Sequence, residues 1–110
     1  MLPSIHYQAY EKLLIELEKL QSGDLPGNFP LVKQAFLSEI VNLSGEDLEP
    51  EIMAKWQSLH TEIYRAFKLL ETEMMFLRSS KQPQTIATRL TTIQSRIEKL
   101  IAYINAILEL

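Results

Sequence analysis

At 110 residues and 12.7 kDa, with 46% hydrophobic and 23% charged residues, the chain has the size and apolar content of one globular domain, which excludes a two-domain enzyme and an unstructured tail. It contains no cysteine, so disulfides, thiolate nucleophiles and cysteine zinc sites are excluded as well. A net charge of −3 disfavours nucleic acid as a partner, yet the charge is uneven: residues 1–51 hold nine acids and three bases, residues 52–110 five acids and eight bases.

Gly23, Gly27 and Gly45, together with Ser79-Ser80-Lys81-Gln82-Pro83, divide the chain into four stretches whose apolar residues recur every three or four positions. The first runs from a Ser4 N-cap to about Gln21, with Tyr7, Tyr10, Leu14 and Leu17 on one stripe, widened by Leu13 and Leu20. The second is predicted to start near Pro30 and to bury Val32, Phe36, Ile40 and Leu43 before ending near Asn42 to Gly45. The third opens around Asp47 or Pro50 and continues to about Ser79; Glu46, Asp47, Glu49 and Glu51 complement the positive end of its helix dipole. Its seam Ile52, Trp56, Leu59, Ile63 takes two gaps of four through Phe67 before Leu70, Met74 and Leu77, a stutter that locally unwinds a supercoil. The fourth follows Pro83 to the end of the sequence and carries a heptad seam of Ile86, Leu90, Ile93, Ile97, Leu100, Ile104 and Ile107.

These patterns predict an all-α fold: one helical-bundle domain over residues 1–110, an antiparallel four-helix bundle with two shorter N-terminal helices and a long C-terminal helical hairpin. At 1.5 Å per residue the last two helices span roughly 40 Å and the first two about 20 to 27 Å, so the hairpin should overhang at the end that holds the loop Ser22–Asn28. The longest uninterrupted apolar run, Leu100–Ile104, is far too short to cross a bilayer, and no basic-then-apolar leader opens the sequence; a cytoplasmic protein is expected.

Catalytic signals are sparse. His6 and His60 are too few and too far apart in sequence to announce a metal site, and no Glu-x-x-His pair occurs; His6 reads as a first-turn surface residue and His60 as a flank of the core. There is no G-x-S-x-G turn, P-loop or dinucleotide fingerprint. The acids Glu39, Glu46, Asp47, Glu49 and Glu51 precede or open a helix, where water and the dipole favour their ionised form. Asn42-Leu43-Ser44 matches a glycosylation sequon by helix-end composition alone. Trp56, Tyr64 and Phe67 read as core. No cofactor and no enzymatic activity are expected.

Met74-Met75-Phe76-Leu77-Arg78 stands apart, because adaptable thioethers and an aromatic ring fall on the overhang rather than in mid-bundle. With Lys81 and Arg89, and no acid between Glu73 and Glu98, this tip is basic. Two readings stand: Met74, Met75, Phe76, Leu77, Arg78, Lys81 and Arg89 form a docking surface for an acidic protein partner, or the loop from Leu25 to Phe29 folds over the apolar members.

The ordered string of residues resembles the PatD-like family of cyanobacterial heterocyst frequency control proteins. The pieces that carry the likeness are Leu2-Pro3, His6-Tyr7-Gln8-Ala9-Tyr10, Leu43-Ser44, Asp47-Leu48, Pro50, Gln57-Ser58, Thr61-Glu62-Ile63, Met75-Phe76-Leu77, Gln82-Pro83, Arg89-Leu90, Tyr103 and Ala106 to Leu108. The resemblance implies a cytosolic, non-enzymatic regulator that binds the cell-division protein FtsZ and modulates its assembly, thereby controlling heterocyst differentiation. It supplies no residue-level binding map. The alternative from the residues is a structural homodimer formed through the long hairpin, without a small-molecule activity.

Overall fold

The computed structural model describes all 110 residues and is all helix: 83% of residues are helical and there are no strands. Helix α1 spans Ser4–Ser22, α2 spans Leu25–Ala35 and runs directly into a π-helical turn at Phe36–Ile40, α3 spans Pro50–Ser79, and α4 spans Pro83–Leu108. Prolines at the first turns of α3 and α4 set both starts where the sequence places them. No helix is long and apolar enough to cross a membrane.

The start of α2 differs from the expectation by more than a turn. Asp24 is its N-cap: one carboxylate oxygen accepts from Gly27 N at 2.8 Å, while the Asp24 carbonyl accepts from the backbone and side-chain nitrogens of Asn28. A Cβ on Gly27 would lie 2.6 Å from that carboxylate oxygen, so glycine is what lets the cap close. Pro30 therefore falls inside α2, past its first turn, where the missing N–H leaves the carbonyl of exposed Pro26 without its i→i−4 donor. The extra turn brings Phe29 into the core, and with it the seven-residue repeat Phe29, Phe36.

That repeat organises the packing between α2 and α3. Phe67 of α3 stacks on Phe29 of α2 at 6.0 Å and on Phe36 of the π-helical turn at 4.1 Å between centroids, both nearly parallel. The two main chains stand apart across these rings: no Cα of α2 comes within 8 Å of one of α3, whereas α1 approaches both α2 and α4, and α4 runs close along α3. Lys33 joins Glu71 across the outer edge of the same seam at 2.9 Å; this hydrogen bond, with the nearby charge of Lys68, holds the Glu71 carboxyl below the usual range.

The remaining core follows the heptad seam of α4. Ile93, Ile97, Leu100, Ile104 and Ile107 are buried against Leu13, Leu17 and Leu20 of α1 and Ile63 and Leu70 of α3 in one continuous cluster. On α1 the buried stripe is His6, Ala9, Tyr10, Leu13, Leu17 and Leu20, rotated from the expected one; Tyr7 is exposed and Leu14 half-buried. Tyr64 is likewise exposed rather than core, its ring lying at the edge of Phe36.

Candidate protein-interaction site

Unequal helix lengths shape the tip. The 30 residues of α3 and 26 of α4 give rods of about 45 and 39 Å, against about 28 Å for the 19 residues of α1; the whole molecule measures 50 × 20 × 20 Å. The last buried residue of α3 is Met74 and the first of α4 is Ile93; from Met75 to Thr92 no residue is buried. Ile86 and Leu90, the first two members of the α4 seam, are half-buried and exposed respectively.

The structure divides the seven tip residues into two groups. Met74 is buried and Leu77 half-buried, because the early start of α2 lays Pro26, Phe29 and Pro30 against them; a pocket of about 250 Å³ remains between these residues, with Arg78 at its rim. To that extent the chain covers its own apolar tip, and Phe29, read from sequence as part of a loop, does the covering from inside a helix. Met75 and Phe76 point elsewhere and stay open, at 61% and 43% exposure.

The cations divide too. Arg89 is engaged within the chain: it reaches Glu73 at 3.3 Å and lies 4.7 Å from the centroid of the Phe76 ring. It therefore props Phe76 from beneath and contributes little free charge. Arg78 and Lys81 are exposed and make no ion pair. The end of α3 is held by Ser79 and Ser80, whose hydroxyls both donate to the Phe76 carbonyl, at 3.1 and 2.7 Å. A methionine, an aromatic ring on a cationic support and two unpaired cations thus sit on a firmly terminated helix end. That combination suits an apolar anchor with charge steering, and it brings together no nucleophile, base or converging donors.

The far end of the molecule holds a polar cluster that the sequence reading missed. His6 is buried, not on the surface, and its Nε2–H donates to the Ser44 carbonyl at 2.7 Å, tying the first turn of α1 to the loop before α3. Its ring meets Trp56 edge-on at 5.7 Å, and His60 stacks on the other side of the network at 4.6 Å from the Trp56 ring. Trp56 Nε1–H donates to the Tyr10 hydroxyl oxygen at 2.9 Å. The Tyr10 proton is then left for His60 Nδ1 at 2.7 Å, which fixes neutral His60 with its proton on Nε2. Gly45 closes the cluster, since a Cβ there would lie 3.0 Å from the Trp56 ring. No third metal-ligating side chain joins the two histidines.

Burial pushes the Tyr10 hydroxyl well above its ordinary range, and burial, followed by the electrostatic influence of nearby His6, pushes His60 below 6.5. Tyr10 and Trp56 lie against the His60 ring, and neither offers a negative charge. Folded chains then bind fewer protons than unfolded ones below pH 6.5, so stability is complete above that value and drains away as pH falls. We expect urea midpoints to fall from pH 7 to pH 5 in the wild type and to flatten over that window in His60→Gln; an equal slope in both would assign the titration elsewhere.

No protein-family model, curated protein or solved structure matches this chain.

Proposed function

We propose that this chain is a non-enzymatic regulatory interaction protein, an antiparallel four-helix bundle whose long C-terminal hairpin docks a protein partner through its tip. The partner suggested by the PatD-like string of residues is FtsZ, whose assembly the bound protein would modulate in the control of heterocyst differentiation. One observation carries the docking surface: the eighteen-residue tip from Met75 to Thr92 contains no buried residue, and it presents Met75 and Phe76 beside unpaired Arg78 and Lys81. Buried Met74 and engaged Arg89 act as supports of that surface, with Leu77 at its covered edge.

A Phe76→Ala, Arg78→Glu double variant removes the anchor and reverses one steering charge while touching no core residue. Its helicity and melting temperature should match the wild type, and its affinity for purified FtsZ should fall at least tenfold, as expected when a central aromatic anchor is truncated. Unchanged affinity would remove the tip as the contact. If the tip instead pairs with a second copy, light scattering at high micromolar concentration will show a dimer that the same double variant abolishes.

A further inference from the structure

The early start of α2 leaves more than a gap against the tip. The pocket of about 250 Å³ there has apolar walls from Phe29 of α2 and from Met74 and Leu77 of α3, so water inside it finds few partners. Pro26 and Pro30 form the rest of its α2 side. A helical carbonyl points toward the residue four positions on, and for Pro26 that residue is Pro30, which has no N–H to give. The Pro26 carbonyl is thus an acceptor without its helical donor, on an exposed residue that lines the pocket.

Charge adds a second requirement. Arg78 is the single charged residue among the six that line the pocket. It is exposed and has no ion-pair partner, and Lys81 beyond it has none either. The acids nearest in sequence are already engaged: Asp24 accepts from Gly27 N in its cap, and Glu73 holds Arg89. An occupant of the pocket therefore meets positive charge that no carboxylate of the chain neutralises.

We propose that this pocket receives one apolar side chain from an acidic, extended segment of the docked protein. The side chain fills the hollow, a backbone N–H of the segment donates to the Pro26 carbonyl, and a neighbouring carboxylate pairs with Arg78. The inference rests on the reading of the tip as a protein-docking surface and adds what that partner must present. The volume is below the roughly 300 Å³ at which pockets begin to enclose drug-sized ligands, so a single side chain fits better than a whole small molecule. A fatty acid would bring an apolar tail and a carboxylate but no donor for the carbonyl, and a basic segment would be repelled by Arg78 and Lys81. The Arg78 guanidinium suits a carboxylate through its planar fork, and the flexible Met74 thioether lets the wall adapt to the side chain it receives.

The test follows the methionine methyl resonances of the full chain by NMR during titration with an acetylated, amidated peptide in which one leucine is flanked by two aspartates on each side. Ionic strength is held constant with sodium chloride, and the Met74 signal is assigned by its disappearance in Met74→Leu. Met74 should shift saturably, while Met53, near the opposite end of α3, should not move. Replacing the peptide's leucine by alanine, or its aspartates by asparagines, should weaken binding at least fivefold. Leu77→Trp, which fills the pocket, and Arg78→Gln, which changes only an exposed side chain, should do the same. A Met74 signal that does not saturate, equal binding of the asparagine peptide, or tighter binding of sodium hexanoate than of the peptide would overturn the proposal. So would a Met74 shift that tracks protein concentration without peptide, which would give the pocket to a second copy. FtsZ affinity that falls in the Phe76→Ala, Arg78→Glu variant but not in Leu77→Trp would overturn the pocket and leave the docking tip standing. Saturation by the peptide with no binding of FtsZ would support the pocket and remove only the partner named above.

Discussion

Replacing Phe67 by alanine should cost about 3 to 5 kcal/mol, the range for truncating a fully buried phenylalanine. The ring has no solvent exposure and sits between Phe29 and Phe36, so its removal leaves a gap with an aromatic wall on each side. Collapse cannot fill that gap cheaply, because the two flanking rings are themselves buried in the core. Against the total of roughly 5 to 15 kcal/mol that holds a domain of this size, such a loss lowers the melting temperature by at least about 12 °C. Tyr64→Ala, which removes an exposed ring at the edge of the same seam, should cost less than about 1 kcal/mol. Equal losses for the two variants, measured by urea denaturation, would mean that the inserted ring is not what closes α2 onto α3.

Tyr10→Phe is expected to be costly for a different reason, since it removes an oxygen and almost no volume. The Tyr10 hydroxyl accepts from Trp56 Nε1–H and donates to His60 Nδ1, and its loss strands both groups in a region shielded from water. An orphaned buried donor or acceptor costs about 1 to 3 kcal/mol, more than the net worth of the bond that was lost. Removing the stranded indole donor should then recover part of the loss. The Tyr10→Phe, Trp56→Phe pair should be more stable than the sum of the two single changes, and a double-mutant cycle measures that coupling. Strict additivity would show that the three groups do not act as one network.

Much of this architecture is written in residue spacing, and the exceptions have physical causes. Pro50 and Pro83 fix the starts of α3 and α4, and the alternating gaps of the α4 seam pick out its buried face from Ile93 onward. The start of α2 escaped because Leu-Pro-Gly-Asn-Phe-Pro has the composition of a loop, although Leu25, Phe29, Val32, Phe36, Ile40 and Leu43 already keep helical spacing. Asp24 decides it through a cap formed with Gly27. His6 escaped because a polar residue in a first turn is ordinarily solvated; its place four residues before Tyr10 was the available signal, and the Ser44 carbonyl is what lets it stay buried.

The tip was legible in part. Helix lengths computed from the breakpoints give the overhang, and the run of tip residues without an acid gives its cationic character. The fate of each apolar side chain depends on where α2 begins, so Met74 and Met75, adjacent and identical in type, end on opposite sides of the boundary between core and surface. The engagement of Arg89 by Glu73, sixteen residues away, is a property of the pairing between α3 and α4 that composition does not carry.

These two methionines also provide the most direct measurement. Mild peroxide treatment followed by mass spectrometry reads the rate of sulfoxide formation at each thioether, with and without saturating FtsZ. For the chain alone, Met75 at 61% exposure should oxidise much faster than Met74 at 7%; with FtsZ bound, Met75 should become protected to a similar degree. A Met75 rate unchanged by bound FtsZ, or one already as slow as that of Met74 in the chain alone, would contradict an open tip that closes on its partner.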